Sequence, residues 1–176
     1  FMDVPLFSSI DKIQKLAVDI LEKLLESTNI LKISDIIIPC VDKSSLNTNN
    51  RINRFVGVLK DLDPVIRKYD VNLSLETDLS PREFSKLLNL IGSEKISVNY
   101  DTGNSASLGY NPIEEFSAYG ELITDIHIKD RLLDGPSVFL GKGDVNLQLI
   151  FALVEKFDYK GPLIFQVLRS GFSFHK

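Results

Sequence analysis

The sequence predicts an α/β protein built on a parallel sheet, and three observations carry that prediction. Short, β-branched apolar runs alternate with longer segments of helical periodicity along the whole chain. Helix-start signals recur after the strands, as in Ser80-Pro81-Arg82-Glu83 and Asn111-Pro112-Ile113-Glu114. A polar residue also stands where each of four strands runs out: Glu76 after VNLSL, Asp101 after ISVNY, His127 after ITDI and Gln166 after LIF. Their intervals of 25, 26 and 39 residues (76 to 101, 101 to 127, 127 to 166) lie near the roughly 30 residues of a strand, a helix and two loops. In parallel α/β proteins the C-terminal strand ends open on one face, so these four residues can converge on one ligand. Spacing of this kind also arises simply because loops begin where strands end.

Each element has a local cause. Ser8, with Asp11 three residues on, reads as an N-cap, and Ile10, Ile13, Leu16, Ala17, Ile20, Leu21, Leu24 and Leu25 recur at helical spacing. DIIIPC (35–40) reads as a strand buried on both faces and ended by Pro39, with KSSLNTNN (43–50) as a polar loop after it. Ile52, Phe55, Val56, Leu59, Leu62 and Ile66 form a second helical stripe in which Pro64 predicts a kink or short break. Strands then follow at 71–76, 96–101, 122–130 and 162–168, and helices at 81–91, from Pro112 onward and at 146–157. Five strands alternating with five helices imply βαβ units in a single domain spanning 1–176, with no linker to divide it.

Composition narrows the function. The chain has 176 residues, 44% hydrophobic and 25% charged, enough for a sizeable core. The formal charge of -4 and the lack of a basic block argue against nucleic acid as a partner. The single Cys40 excludes an internal disulfide framework, and no apolar run approaches the roughly 18 residues of a membrane span. A cytoplasmic protein with no membrane partner is the expectation.

NYDTGNSASLGY (99–110), DIHIKDR (125–131) and LGKGDVN (140–146) together resemble the sugar-phosphate isomerase/epimerase family, within the xylose-isomerase-like TIM barrels that also include endonuclease IV relatives. The resemblance runs from about Phe1 to Arg169. It implies a (β/α)8 TIM barrel, here a partial barrel beginning near the end of the third strand, so that two strands and most of a third would precede Phe1. Such an opened barrel exposes hydrogen-bonding edges, which predicts instability alone or pairing into a homo-oligomer.

The resemblance further implies a divalent metal, Mn²⁺, Mg²⁺, Co²⁺ or Zn²⁺, held by Glu76, Asp101, His127 and Gln166, the last standing where the family usually has a second glutamate. Mixed oxygen and nitrogen ligands suit such an ion, which can polarise a carbonyl and stabilise an enediolate. Glu76 is then the candidate general base. Gln166 can ligate through oxygen but cannot carry a proton near neutral pH. One-base aldose–ketose isomerisation is therefore favoured over two-base epimerisation, unless Lys129, Asp130 or a water replaces the glutamate.

The expected ligand is a sugar or sugar phosphate. Its anionic end could meet Lys129, Arg131, Lys142 or Arg169, Gly141-Lys142-Gly143 could offer backbone N–H groups to an anion, and Asn104 could bind a sugar hydroxyl or serve only the turn. A trinuclear nuclease site is disfavoured, since His127 and His175 are the only histidines. Keto-sugar or inosose dehydratases share the same enolisation, and a non-catalytic relative binding a sugar or a protein is the reading from another class.

Overall fold

A computed structural model describes residues 3–166; Phe1, Met2 and residues 167–176, among them Arg169 and His175, lie outside the described residues. The chain runs through α1 (Asp11–Leu31), β1 (Asp35–Cys40), α2 (Asn49–Tyr69), β2 (Asn72–Thr77), α3 (Pro81–Ile91), β3 (Ile96–Asp101), α4 (Thr102–Ser107), α5 (Pro112–Tyr119), β4 (Ile123–Ile128), β5 (Asp130–Arg131), β6 (Ser137–Val138), α6 (Leu147–Lys156) and β7 (Leu163–Phe165). Five strands pair in the order β1-β2-β3-β4-β7, every pair parallel, and β5 and β6 form a small antiparallel ribbon. The predicted alternation and parallel sheet are thus present.

The two faces of this sheet differ because strand side chains alternate. Leu73 and Leu75, Val98 and Tyr100, and Ile126 and Ile128 are buried, and they join one apolar core with Phe55, Leu59 and Ile66 of α2, Phe84 and Leu87 of α3, Phe116 of α5 and Ile150 of α6. The alternate residues, Ser74 and Glu76, Ser97, Asn99 and Asp101, Asp125 and His127, make the other face polar. A slip of one residue in the β3–β4 register between Val98 and Asn99 sets Asp101 opposite His127.

Helix boundaries follow their caps. Ser80 and Glu83 form a reciprocal capping box at α3, Asn111 caps α5 ahead of Pro112, and Asn146 accepts from Leu149 N at α6. Ser8 does not cap α1: its hydroxyl accepts from Ile10 N within the preceding turn, and Ile10 takes the cap position without a side-chain bond. Leu16 and Leu24 of the predicted α1 stripe are exposed, while Ala17, Leu21 and Leu25 are buried.

Three other boundaries differ from expectation. Pro39 does not end β1, which runs on to Cys40; β1 has one strand neighbour among the described residues, and proline is tolerated where its missing N–H faces no partner. Helix α2 continues through Pro64 without a break, its buried Phe55, Leu59, Leu62 and Ile66 holding both halves to the core. The predicted strand 122–130 stops at Ile128, because the Thr102 hydroxyl donates to Lys129 O at 2.7 Å and accepts from Lys129 N at 3.0 Å, taking the place of a ladder partner.

The Gly141–Gly143 loop likewise does not offer its N–H groups to an outside anion. Asp130, 1% exposed, accepts at Oδ2 from Gly141 N (2.8 Å), Lys142 N (3.1 Å) and Gly143 N (2.9 Å), and at Oδ1 from Val145 N (3.2 Å). The cradle is filled by the protein's own carboxylate. A Cβ at Gly143 would stand 2.6 Å from Arg131 O, so this close approach requires glycine. Asp130→Ala strands four donors and should destabilise the chain by on the order of 2–4 kcal/mol. Denaturant unfolding checks this; a loss below about 0.5 kcal/mol would show the loop to be held by other contacts.

Candidate metal centre

Glu76 ends the polar face of β2, Asp101 that of β3 and His127 that of β4. One ligand atom from each lies within 4.8 Å of the others, the one such cluster among the described residues. Gln166 follows β7; its backbone N–H donates to Ile128 O, and its Nε2 lies 2.8 Å from His127 Nδ1. Four residues separated by 90 positions in the chain, from 76 to 166, therefore meet at one end of the sheet.

Asp101 has two tasks. Its Oδ1 accepts from Asn104 N at 2.8 Å as the N-cap of α4, while Oδ2 faces Lys129 Nζ at 3.4 Å and His127 Nδ1 at 3.9 Å. Where the sequence predicts no more than a turn around Asn104, the structure has the short helix α4 with Asp101 as its cap. Gly103 is needed within it, because a Cβ there would meet Lys129 Cγ at 2.8 Å.

Asn104 is committed within the site. It donates from Nδ2 to Glu76 Oε1 at 2.7 Å and accepts at Oδ1 from Arg131 Nη1 at 2.9 Å. Arg131 is itself anchored by two bonds to Gly135 O. Lys129, Arg131, Asn104, Glu76 and Gln166 line a cleft of about 430 Å³, with Asp42 and Asp78 also on its wall. Lys142 is exposed on its loop and absent from that lining, and Arg169 lies outside the described residues.

Comparison with known proteins places this geometry. A family model described as xylose isomerase-like TIM barrel matches residues 1–171. The chain belongs to the xylose isomerase-like TIM barrel family. This barrel chain is 27% identical to the inosose dehydratase of Geobacillus kaustophilus (strain HTA426) over 47% of its own length and 32% of that protein. Among solved structures it resembles L-ribulose 3-epimerase (TM-score 0.80, 19% identity, 96% of this chain and 60% of that one). It also resembles the IolI protein with a bound zinc atom (TM-score 0.79, 17% identity, 94% and 65%). The chain thus spans about a third of the curated relative and about three-fifths of the epimerase, and its five-stranded sheet is part of a barrel wall. No helix among the described residues is long and apolar enough to cross a membrane.

The electrostatics of this barrel mouth suit a cation. Burial, and next to it the Asp101 carboxylate, push Glu76 up to about 7, against the smaller opposing effects of Lys129 and the Asn104 bond. Burial also lowers His127, outweighing Asp101 and Asp125, so its imidazole is neutral at pH 7 and free to ligate. Two carboxylates and a neutral imidazole are a donor set for Mn²⁺, Mg²⁺, Co²⁺ or Zn²⁺. A buried oxygen, Asn99 Oδ1, is left without a hydrogen-bond partner among the described residues. Sequence reading missed Asn99, although its position two before Asp101 puts both on one face of β3.

The sign of the Glu76 shift gives two expectations. A carboxyl raised in the folded state keeps a proton that the unfolded chain has lost, so metal-free stability falls as pH rises from about 4.5 to about 7. Glu76→Gln should stabilise the metal-free chain relative to the parent at pH 8, by on the order of 1–2 kcal/mol after allowance for screening, and change little at pH 4, as read by denaturant unfolding. Metal affinity should run the other way, weakening by up to about tenfold per pH unit below 7 as protons compete at Glu76. Calorimetric titration with Mn²⁺ from pH 5.5 to 8 reads this, and a flat profile would remove Glu76 from the ligand set.

Proposed function

We propose that this chain carries the metal centre of a sugar or sugar-phosphate isomerase or epimerase that removes a proton next to a carbonyl and passes through an enediolate. The convergence of Glu76, Asp101 and His127 at the strand ends of a xylose isomerase-like barrel carries this reading. A divalent ion bound there would polarise the substrate carbonyl and stabilise the negative charge that develops on its oxygen.

The side chains divide the remaining work. Glu76 is the base: Oε1 is held by Asn104 at 2.7 Å, while Oε2 accepts only a long bond from Asn99 Nδ2 at 3.4 Å and is the oxygen that takes the proton. A carboxyl poised at about 7 suits this task near neutral pH. Arg131, fixed by Gly135 and Asn104, keeps Glu76 oriented and, with Lys129, gives the cleft a cationic side for a phosphate or an anionic oxygen. Gln166 lies against His127 and cannot move a proton. Asp130 cannot substitute for it, since both its oxygens are occupied by the loop. One base on one face favours aldose–ketose isomerisation over two-base epimerisation.

A second reading, dehydration of a keto-sugar or inosose, is supported by the identity with inosose dehydratase. It begins with the same enolisation and differs in losing water. Incubation with aldose and ketose phosphates and with an inosose separates the two by product: isomerisation yields an isomer of unchanged composition, whereas dehydration yields a ketone lighter by one water. Mn²⁺ or Co²⁺ at about a hundred times Kd should stabilise the fold by about 2.7 kcal/mol, several degrees in melting temperature. His127→Ala should abolish that rise and Gln166→Glu should enlarge it. A cooperative melt indifferent to metal would sink the enzyme reading in favour of a non-catalytic relative that binds a sugar or a protein.

A further inference from the structure

Asn99 sits on the polar face of β3, 3% exposed, at the residue where the β3–β4 register slips. Its Nδ2 lies 3.4 Å from Glu76 Oε2 and 3.3 Å from His127 Nδ1, so one amide terminus touches two residues of the cluster at once. This terminus therefore borders the space that Glu76, Asp101 and His127 would share around a bound cation. The other terminus, Oδ1, is buried without a partner among the described residues.

The metal-free arrangement sets only the two long contacts of Nδ2 against this. An unpaired buried carbonyl is costly, and native proteins keep few of them. Both contacts of Nδ2 are long: it donates to Glu76 Oε2 at 3.4 Å while Asn104 holds Oε1 at 2.7 Å, and His127 has a shorter contact with Gln166. Turning the amide over would only set its oxygen against the Glu76 carboxylate and the imidazole lone pair. That clash vanishes once a cation stands between them.

We propose that Asn99 is an additional oxygen ligand of the metal centre, its amide turning over when a cation binds so that Oδ1 takes the position held by Nδ2 without one. The inference rests on the metal-centre reading above. With Gln166 it gives the site two neutral amide donors beside two carboxylates and one imidazole, a shell that Glu76, Asp101 and His127 alone do not complete.

The test separates this role from a structural one by the sign of two readouts. Asn99→Leu, close to the same shape, removes the unpaired oxygen and should leave the metal-free melting temperature unchanged or raise it by about 2–5 °C. The same variant should bind Mn²⁺ at least about tenfold more weakly by calorimetry and shift the visible absorption of bound Co²⁺. Asn99→Asp, which supplies an oxygen without turning over, should bind Mn²⁺ more tightly than the parent and melt lower without metal. Parental affinity with an unchanged Co²⁺ spectrum in Asn99→Leu would overturn the proposal. So would a lower metal-free melt of that variant combined with unchanged Mn²⁺ affinity in Asn99→Asp, which would make Asn99 structural. Failure of the parent chain itself to bind Mn²⁺ would instead overturn the metal-centre reading and this one with it.

Discussion

Between Val98 and Asn99 the pairing of β3 with β4 slips by one residue, and the site depends on that slip. Val98 faces Ile123 before it, whereas Asp101 faces His127 after it. Without it Asp101 would stand opposite Ile126, and His127 would sit one step out of place. A one-residue change of register carries a side chain to the opposite face of a strand. The core side of β4 is closed to His127 by Ile126 and Ile128, both almost fully buried. Apolar packing on one face of the sheet thus sets which residues meet on the other.

From that register the polar groups build outward in short links. Asp101 caps α4, α4 presents Asn104, Asn104 holds Glu76, and Arg131 holds Asn104 from the ribbon that begins at Asp130. Asp130 fixes the far side of the same ribbon by gathering the Gly141–Gly143 loop. Asp101, Asn104 and Arg131 each hold at least two hydrogen-bond partners. Such a chain keeps a carboxylate in one orientation without relying on a packed apolar contact.

The energetic character of the two sheet faces is opposite. Leucine, isoleucine and phenylalanine side chains fill the helix-facing core, while the inner face carries a carboxyl shifted toward neutrality and a buried carbonyl without a partner. Stability supplied on one side tolerates strain on the other, the usual relation between a barrel's packing and the chemistry at its mouth.

Much of this was legible in the residues themselves. Short β-branched apolar runs located the parallel strands and period-3.6 patterns the main helices, Ser80-Pro81-Arg82-Glu83 placed a helix start to the residue, and the strand-end positions singled out Glu76, Asp101, His127 and Gln166. What sequence could not supply were contacts between distant segments. The continuation of α2 through Pro64, the loss of the loop N–H groups to Asp130, the commitment of Asn104 to Glu76 and the isolation of Asn99 Oδ1 all depend on neighbours 10 to 40 positions away or on another element altogether. Local propensity and periodicity are properties of a segment and can be read along the chain. Register, hydrogen-bond satisfaction and the proton affinity of Glu76 are properties of segments brought together, so only the tertiary structure decided them.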